Sequence, residues 1–509
     1  MIKKNYHSIN ENILLSLYFG YHDSCITFAD KTKILLHLEA ERVFRKKHLR
    51  LTRKQMEHLV NVGLDYLNIS INNIEKVYLA QWNNQFEEKF LNLLGRNFKP
   101  ILTGHHANHI GTGMVAGFED AVIVCADGGS EDGTTAIYLK KHNKITLLEN
   151  LNNTILTGKF YGTLTQMIIC PSFGRAHDTY PGKTMGLAAL GNYRRKYALL
   201  LEQYKDVINN LHFNGCEHLL DLFELKPNYD KPWLDNNRCD LAYTAQEYWI
   251  KTFLQKIYSL RRYSRNLIFV GGCAYNVVLN TKIVESKLFD NVYITPVSGD
   301  CGQSLGALIY HQPTLSCHYP FLGRSFGQIS LQTPNLLKKL INDLISKKII
   351  AWYQGESEIG PRALGHRSFL GIPTSKSMRI KLSEKVKKRE PYRPVAPIIP
   401  IEKFHTYFKG DFYSPYMTFA PKVNDITRKV APAIVHYNGT SRVQTLDKST
   451  NPFLHTLLLE LENVGLPPIL MNTSLNIQGE AMVDTPKDAL KTFKKSAAEV
   501  LYINGKRYE

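Results

Sequence analysis

Apolar runs in the first half of the chain have the length of buried strands, and several of them end in Gly or Asp. Short apolar runs bounded by turn residues are typical of strands. The predicted strands are LLSLYFG, KILLHLEAE, KVYLA, AVIVCADGG and TTAIYLKK. A turn of Gly, Ser and Asp joins the last two and predicts a hairpin, whereas RNLIFVGGCAYNVVLNTKIV predicts a strand, a double-glycine turn and a helix. The pattern predicts an α/β fold with mixed sheets.

Three glycine-bearing turns follow one another along this region: FGYHDS (Phe19–Ser24), ADGGSEDGTT (Ala126–Thr135) and VGGCAYN (Val270–Asn276). Glycine lets backbone N–H groups approach phosphate oxygens closely, and a helix N-terminus adds a favourable dipole. Each turn alone could equally be an ordinary turn. Two strand-flanked turns and then a strand-GG-helix form the order used by the actin/hexokinase-type nucleotide-binding fold, so the set predicts a nucleotide site.

The hydrophobic pattern starts afresh after a stretch that carries Pro, Gly and Ser, SCHYPFLGRSFGQISLQTP (Ser316–Pro334). The following NLLKKLINDLISKKIIAWYQGESE predicts a helix and then a strand. A chain of 509 residues is also too long for a single core. We therefore expect two domains, at residues 1–325 and 335–509, with the stretch between them as an interdomain region.

Charge is the least ordinary part of the composition, because 63 Lys and Arg residues face 45 Asp and Glu residues and give a net charge of +18. This excess favours a polyanionic partner, nucleic acid first, or an anionic surface. The alternative is a lysine-rich genome bias combined with an arginine-rich anion site. The N-terminal apolar run is interrupted by His22 and Asp23 and lacks a cleavage site, and no run reaches the roughly 20 residues of a membrane span. Eight scattered cysteines without a CxxC pair predict a reduced, cytoplasmic protein.

The segment GHHANH carries two histidines four positions apart, His105 and His109, which would share one face of a helix. Two imidazoles on one face are the usual start of a metal site, and a surface histidine cluster is the alternative. Asp127 at the end of a strand and Asp300 before a probable helix are candidate further ligands. Two His and two Asp would suit iron(II) or zinc.

A second dense region, WYQGESEIGPRALGHRSFLGIP followed by MRIKLSEKVKKREPYRPVAP, interleaves basic residues with Gly and Pro. Its basic residues include Arg362, Arg367, Lys385, Lys387, Arg389 and Arg393. Arginines held by Gly-Pro turns suggest bidentate contacts to phosphate or carboxylate, whereas a solvated face would be mostly Lys with Glu. Further on, NGTSRVQTL contributes Arg442, and MNTSLNIQGE contributes Asn472, Thr473 and Ser474. These residues predict a phosphate-handling site, with surface charge as the alternative.

Ten motifs in order now identify a resemblance that covers nearly the whole chain. They are GYHDS, EAERVFRKKH, HHANH, ADGGSEDG, GKTMGLAALG, VGGCAYNVVLN, GDCGQSLGA, QGESEIGPRALGHRS, KVKKREPYRPVAP and MNTSLNIQGE. The chain closely resembles the O-carbamoyltransferase family of nodulation and antibiotic-tailoring enzymes. The resemblance implies an N-terminal domain like the tRNA threonylcarbamoyladenosine-forming protein and a C-terminal domain like its threonylcarbamoyl-AMP-making partner.

The resemblance also implies a mechanism in two steps. The C-terminal domain makes carbamoyladenylate from carbamoyl phosphate and ATP, with Mg²⁺ expected beside ATP, and the N-terminal domain transfers the carbamoyl group to a hydroxyl and releases AMP. The metal ligands it implies are His105, His109, Asp127 and Asp300, with iron(II) expected first. The carbamoyl phosphate and ATP contacts it implies are Arg362, Lys387, Arg393, Arg442 and Ser474. The nucleotide contacts it implies are Gly128 and Gly129 in the second phosphate turn, and Gly271, Gly272 and Asn276 lining the adenosine pocket.

A hydroxyl acceptor has a high pKa and needs a base. We expect His22 to be that base, with Lys47 as a charge stabiliser, although His22 could instead be a structural partner of Asp23. The segment Asn192–Asp240 is expected to set acceptor specificity.

The net charge favours DNA with hydroxymethylated pyrimidines as the acceptor, as in phage-type 5-hydroxymethylcytosine carbamoylation, where a base would be flipped into the cleft. A composition typical of an AT-rich genome weakens that argument, and a small hydroxylated metabolite or sugar is the alternative. A nucleic-acid-binding or tRNA-modifying relative of the same fold is a further alternative. The retained histidine pair and arginines, and the second domain, argue against it.

Overall fold

The structure is a computed structural model that describes residues 12–80, 91–130, 132–142, 144–152, 154–169, 181–211, 217–226, 231–327 and 334–509. The strands are β1 (Ile13–Tyr18), β2 (Cys25–Ala29), β3 (Ile34–Glu39), β4 (Ile74–Ala80), β5 (Leu91–Leu93), β6 (Arg96–Phe98), β7 (Ile101–Thr103), β8 (Asp120–Ser130), β9 (Gly133–Lys141), β10 (Lys144–Asn150), β11 (Asn266–Val270), β12 (Asn291–Ile294), β13 (Phe321–Ser325), β14 (Ile350–Tyr353), β15 (Glu356–Glu358), β16 (Arg367–Gly371), β17 (Ala396–Pro400), β18 (Gln444–Leu446), β19 (Leu470–Ser474), β20 (Val500–Ile503) and β21 (Lys506–Tyr508). The helices are α1 (Ala40–Phe44), α2 (Arg53–Leu67), α3 (His105–Met114), α4 (Gly158–Ile169), α5 (Pro181–Leu187), α6 (Arg195–Asn210), α7 (Glu217–Leu220), α8 (Asn236–Tyr258), α9 (Val277–Glu285), α10 (Gln303–His311), α11 (Pro334–Ile345), α12 (Lys376–Ile380), α13 (Phe404–Tyr407), α14 (Asp425–Val430), α15 (Pro452–Asn463) and α16 (Pro486–Lys495).

Two five-stranded sheets in the N-terminal half repeat one topology. The first has the order β3-β2-β1-β4-β7, in which β1, β2 and β3 are antiparallel neighbours and β4 and β7 add in parallel. The second has the order β10-β9-β8-β11-β12 with the same directions. Every residue of β1 and β2 is buried, as expected for strands covered on both faces. This duplicated unit is the actin/hexokinase-like arrangement, so the predicted fold class is confirmed.

Two glycines let α3 and α10 pack with their backbones in contact. A Cβ atom at Gly111 would lie 2.0 Å from the carbonyl oxygen of Gly306, and a Cβ at Gly306 would lie 1.8 Å from the carbonyl oxygen of Asn108. Neither position can therefore accept a larger residue without separating the helices. The close packing brings the histidine face of α3 next to the short 3-10 turn that precedes α10 and begins at Asp300.

The C-terminal half is built on a seven-stranded mixed sheet with the order β18-β17-β19-β16-β14-β20-β21. Its core includes Trp352 on β14, which stacks on Phe453 of α15 with ring centroids 5.5 Å apart. The sequence predicted α11 followed by β14, and both are present. The interdomain stretch predicted for Ser316–Pro334 contains β13, which pairs with β15 and so links the two halves. The proposed boundaries at residues 325 and 335 stay a prediction.

A buried ion pair joins the two halves beside β13. Arg42 lies 3.2 Å from Glu39 and donates hydrogen bonds to Ser357 Oγ at 2.7 Å and to the carbonyl oxygens of Glu358 and Gly360. The Gly360 N–H donates to Glu39 at 2.8 Å. Gly360 lies two residues before Arg362, so this pair fixes the loop that carries the first predicted anion contact.

The predicted strands, the β8–β9 hairpin and the β11–turn–α9 unit are confirmed, whereas β2, β7 and β10 were not predicted. No helix within the described ranges is long and apolar enough to cross a membrane.

Candidate active site

Four ligand-type side chains meet where α3 and α10 approach the ends of β1 and β8, and we call them the four-ligand site. α3 begins at His105, which places His105 and His109 one turn apart on the same face. Asp127 lies in β8, and Asp300 opens the 3-10 turn before α10. One ligand atom from each residue lies within 4.8 Å of all the others.

The two imidazoles face each other through their Nε2 atoms, which are 3.1 Å apart. His105 Nε2 lies 3.3 Å from Asp127 Oδ2 and 3.4 Å from Asp300 Oδ1. His109 Nε2 lies 3.8 Å and 3.5 Å from the same two oxygens. Both imidazoles are fully buried, so the alternative of a surface histidine cluster is wrong. Two nitrogens and two carboxylate oxygens that converge in this way form a donor set that fits a divalent transition metal.

Charge is balanced within the four-ligand site. Burial lowers the pKa of His105, but Asp300 and hydrogen bonding to both carboxylates outweigh burial and raise the pKa to about 10. Burial and the neighbouring Asp300 raise the pKa of Asp127, yet hydrogen bonds from the two histidines hold it well below its ordinary value. The Nδ1 atoms of both histidines are buried and have no hydrogen-bond partner among the described residues. Within the described residues, the polar contacts of both rings are therefore made through Nε2, the nitrogen that faces the two carboxylates.

The second oxygen of each carboxylate is also held. Asp300 Oδ2 accepts a 2.6 Å hydrogen bond from the Tyr18 hydroxyl at the end of β1, and Asp127 Oδ1 accepts a 2.7 Å bond from the Gly272 N–H. A Cβ at Gly272 would lie 2.8 Å from Asp127 Oδ1, and Gly271 has a φ of 89°. The double glycine thus brings backbone against Asp127, while its predicted adenosine contact stays a prediction.

The other predicted nucleotide residues occupy two places. Gly128 and Gly129 continue β8 beyond Asp127; Gly128 is exposed, and Gly129 has a φ of 141°. Asn276 is buried, and its Oδ1 accepts from the Leu279 N–H at 3.1 Å, which caps the start of α9. Its Nδ2 donates to Gln246 at 3.1 Å. Both polar atoms of the Asn276 side chain therefore make hydrogen bonds within the protein. The place of Asn276 in an adenosine pocket stays a prediction.

A group of basic side chains in the C-terminal half gathers with few carboxylates around it. This cationic cluster consists of Arg362, Lys387, Arg389, Arg393 and Arg442. Burial and, to a smaller extent, Arg393 lower the pKa of Arg389 to about 9 and that of Arg362 to about 10. Burial, together with Arg362, Arg389 and Arg393, also lowers the pKa of Arg442 well below its ordinary value. Such mutual repulsion favours the binding of an anion.

Lys387 is the most buried member of the cationic cluster. Its Nζ donates to the Ser474 carbonyl oxygen at 2.6 Å, to Ser474 Oγ at 3.3 Å, and to the backbone and side-chain oxygens of Asn476. Burial lowers its pKa well below the ordinary lysine value, and Arg389 and Lys47 lower it further. The structure thus brings Lys387 and Ser474 together at the end of β19.

One carboxylate lies inside this basic group. Glu390 Oε1 is 2.5 Å from Lys183 Nζ of α5, and Glu390 Oε2 is 3.5 Å from Arg393. Lys183, which sequence reasoning did not select, therefore joins the cluster from the N-terminal half. The structure places Arg367 elsewhere, since its guanidinium donates to the backbone carbonyls of Gln354, His366, Arg324 and Gly355, and Lys385 is exposed.

The segment after α1 contacts the C-terminal half of the chain. Lys46 forms an isolated β-bridge with Glu480, and Arg45 lies 3.2 Å from the Glu480 carboxylate. Lys47 is exposed, yet desolvation lowers its pKa; Glu41 raises it, and Arg389 and Arg393 lower it. Lys47 therefore lies within the electrostatic field of the cationic cluster.

His22 lies beside Asp23 and His48, and we call these three residues the His–Asp–His cluster. Asp23 Oδ2 is 3.0 Å from His22 Nδ1, and Asp23 Oδ1 is 3.4 Å from His48 Nδ1. All three side chains are partly exposed. The structural partnership of His22 with Asp23 is therefore present, and the catalytic role of His22 stays a prediction.

The segment predicted to select the acceptor is Asn192–Asp240, and hydrogen bonds join its two ends. The Asp240 carboxylate accepts one from the Asn192 N–H at 2.7 Å and one from Arg194 Nε at 2.6 Å. Residues 212–216 and 227–230 of this segment lie outside the described residues. Its role in specificity stays a prediction.

Sequence reasoning did not select Tyr18, Lys183 and His48. The KKH run next to the chosen Lys47 was a signal for His48. No local signal pointed to Tyr18, because its partner Asp300 is 282 positions away.

Comparison with known proteins now adds to this geometry. A family model described as the carbamoyltransferase N-terminus matches residues 93–309, and one described as the carbamoyltransferase C-terminus matches residues 341–509. The chain belongs to the carbamoyltransferase family. It is an O-carbamoyltransferase, as the ten motifs predicted.

Several relatives extend over most of the chain. It is 28% identical to the uncharacterized protein sll1178 of Synechocystis sp., over 84% of this chain and 79% of that protein. It is 29% identical to the nodulation protein NolO of Bradyrhizobium diazoefficiens, over 76% and 75% of the two chains. The nodulation protein U of Sinorhizobium fredii is 33% identical over 42% of this chain and 40% of that protein.

Two solved structures are similar over somewhat more than half of the chain. Component A of (R)-2-hydroxyglutaryl-CoA dehydratase from Acidaminococcus fermentans is 10% identical over 59% of this chain and 97% of that chain, with a TM-score of 0.37. Full-length HypF in its phosphate- and nucleotide-bound form is 13% identical over 60% and 56%, with a TM-score of 0.34. Scores this low add nothing to the topology described above.

Proposed function

We propose that this carbamoyltransferase activates a carbamoyl group at the cationic cluster and transfers it at the four-ligand site. In the first step, carbamoyl phosphate, water and ATP give carbamoyladenylate, phosphate and pyrophosphate. In the second step, an acceptor hydroxyl takes the carbamoyl group and AMP is released. The observation that carries the proposal is the presence in one chain of a cluster of cations suited to an anion and of a metal-type donor set, with Lys47 in the electrostatic field of Arg389 and Arg393.

The cationic cluster supports the activation step because both substrates and both released products are polyanions. Guanidinium groups pair with phosphate oxygens in bidentate geometry, and fixed cations stabilise the charge that develops on a departing phosphate. Lys387 adds a point charge that Ser474 and Asn476 hold in place. Arg362, Arg393 and Arg442 would then contact the phosphates of carbamoyl phosphate and ATP.

The transfer step needs a base and a stabilised leaving group. The acceptor oxygen forms a bond to the carbamoyl carbon, the bond from that carbon to the AMP phosphate oxygen breaks, and His22 takes the hydroxyl proton. Lys47 offsets negative charge on the departing phosphate. A divalent ion held by the four-ligand site, iron(II) by preference, would supply Lewis-acid polarisation of a phosphate or carbamoyl oxygen.

A small hydroxylated molecule is the acceptor that the site supports best. Part of the net charge of +18, which suggested DNA, belongs to residues in or beside the cationic cluster: Lys47, Lys183, Arg362, Lys387, Arg389, Arg393 and Arg442. These cations serve the nucleotide and carbamoyl phosphate in the proposed chemistry. DNA carrying 5-hydroxymethylcytosine is kept as the second candidate, since the remaining excess of Lys and Arg still favours a polyanion.

The test supplies the purified chain with iron(II), Mg²⁺, ATP and carbamoyl phosphate and measures pyrophosphate. Release that requires both substrates supports the activation step, and release from ATP alone contradicts it. The same mixture then receives either DNA with 5-hydroxymethylcytosine or a panel of sugars and other small polyols, and products are analysed by mass spectrometry. A carbamoyl mass increment on the nucleoside selects DNA, and one on a small molecule selects that class.

A further inference from the structure

The His–Asp–His cluster has a feature that the proposed mechanism does not use: one carboxylate is shared by two imidazoles. The two rings of His22 and His48 are 6.1 Å apart and inclined at 77°. Asp23 and His48 have φ values of 54° and 50°, in the left-handed region that residues other than glycine adopt infrequently. Uncommon backbone conformations cluster where side chains must be placed for function.

Both imidazoles approach the carboxylate through Nδ1, at 3.0 Å for His22 and 3.4 Å for His48. Because an ionised carboxylate only accepts hydrogen bonds, the proton of the neutral His22 ring belongs on Nδ1 and its lone pair on Nε2. A histidine in this tautomer can act as a base through Nε2. Of the two contacts, the His22 contact has hydrogen-bond geometry, whereas the His48 contact is an ion-pair contact.

The surroundings keep Asp23 ionised. Burial raises the pKa of Asp23, but the hydrogen bond from His22 and the contact with His48 hold it well below the ordinary carboxyl value. Burial lowers the pKa of His48, and Asp23 and Glu41 outweigh burial and raise it. The charged groups that face the cluster come from β3, α1, the segment after α1, and the turn before α10: Glu39, Glu41, Lys47 and Asp300.

We infer that Asp23 positions His22 as the base of carbamoyl transfer and that His48, by sharing the Asp23 carboxylate, limits how basic His22 becomes. This inference rests on the proposed transfer function. In that step the acceptor proton moves to His22 Nε2 as the acceptor oxygen bonds to the carbamoyl carbon and AMP departs with the electron pair of the broken C–O bond. Asp23 then stabilises the imidazolium through Nδ1–H. Asp23 and His48 are positioning residues, since neither touches the reacting atoms.

The sharing predicts opposite effects for two substitutions. In Asp23→Asn the imidazolium of His22 loses its carboxylate, so the pKa of His22 falls. In His48→Gln the carboxylate loses a competing cation or donor, so the pKa of His22 rises. An opposite charge at this distance shifts a pKa by about 1 to 3 units, so Asp23→Asn should lower it by at least about 1 unit.

NMR measures the tautomer and the pKa of His22 without any substrate. The full chain is loaded with zinc(II), its histidines are labelled with ¹³Cε1 and ¹⁵N, and the His22 signals are assigned by their loss in His22→Gln. We expect the Nδ1–H tautomer in the wild type, a lower pKa in Asp23→Asn and a higher one in His48→Gln. Matched controls are Asp65→Asn and His58→Gln, which change exposed residues of α2 and should leave the His22 titration in place.

Three results would overturn the inference: an Nε2–H tautomer at His22, His22 titrations that are the same in all variants, or the loss of a second bound zinc ion in Asp23→Asn. The last would make the His–Asp–His cluster a metal site. If Asp23→Asn does not fold, His48→Gln tests the same inference from the other side. Pyrophosphate release by the wild type tests the proposed function separately, so the two failures are distinguishable.

Discussion

The four-ligand site and the cationic cluster differ in their charges: the first combines carboxylates with imidazoles, and the second consists of cations. At the four-ligand site, two carboxylates and two imidazoles neutralise one another, with donor atoms within 4.8 Å. In the cationic cluster, guanidinium groups lower one another's pKa values, and Glu390 is the carboxylate that contacts Arg393. The first set is held by α3, β8 and the 3-10 turn before α10, whereas the second is carried largely by turns. The difference teaches that the first site offers a rigid donor set suited to a cation, whereas the second gathers cations suited to an anionic substrate.

Removal of a ligand at the four-ligand site should have the largest effect. His105→Gln removes one nitrogen ligand, so we expect loss of bound metal and a fall in carbamoyl transfer of more than about 100-fold, beyond the usual cost of losing a metal-site supporting residue. Pyrophosphate release should remain, because the cationic cluster is separate. Metal analysis and the two half-reactions measure this, with His58→Gln as the control. Equal loss of both half-reactions would show that the two sites do not work separately.

Removal of a guanidinium from the cationic cluster should act on the other half-reaction. Arg442→Gln takes away one phosphate donor, and we expect pyrophosphate release that depends on carbamoyl phosphate to fall by about 10² to 10³-fold, the usual cost of one charge-stabilising donor. Bound metal should not change. Lys385→Gln is the control, because Lys385 is exposed in the same part of the chain. Metal loss in Arg442→Gln with normal pyrophosphate release would reverse the assignment of the two sites.

A smaller effect on metal binding is expected from Tyr18, which supports the ligand Asp300. Tyr18→Phe removes the 2.6 Å hydrogen bond to Asp300 and keeps the ring, so metal affinity should fall by about 10 to 100-fold. Competition with a metal chelator measures the affinity. Unchanged affinity in a folded Tyr18→Phe variant would mean that Asp300 is held by its backbone alone.

The smallest effect concerns stability. Pyrophosphate should relieve repulsion in the cationic cluster and stabilise the wild type by about 1.4 kcal/mol at ten times its Kd. Thermal unfolding with and without pyrophosphate measures this. Arg442→Gln should gain less than the wild type, and His105→Gln should gain as much. Stabilisation that is the same in Arg442→Gln and the wild type would place the anion outside the cluster.

Local patterns predicted the elements better than they predicted the contacts between them. The spacing of His105 and His109 predicted one helix face, and the GG turn predicted a strand and a helix, because both follow from residues close in sequence. The strand β2 was missed because CITFA follows directly on the predicted phosphate turn. The contact of Tyr18 with Asp300 depends on how two sheets meet, which no local pattern contains.

Local patterns were equally unable to predict the contacts of individual charged residues. The Gly-Pro context predicted anion contacts, which stay a prediction, and the structure brings Arg362, Arg389 and Arg393 into one another's electrostatic field together with Arg442 from a later segment. The same context could not show that Arg367 would turn inward to backbone carbonyls, because that choice depends on the β14–β16 pairing. Nor could it reveal Lys183, which reaches Glu390 from the other half of the chain.

The most direct measurement supplies the chain with carbamoyl phosphate labelled in its carbonyl carbon and ATP labelled in its α-phosphate, without an acceptor. After rapid quenching, chromatography and mass spectrometry look for one species that carries both labels. We predict carbamoyladenylate that forms with both substrates, is lost in Arg442→Gln and persists in His105→Gln. Carbamoylated product formed on addition of an acceptor, with no doubly labelled species at any time, would contradict the two-site mechanism.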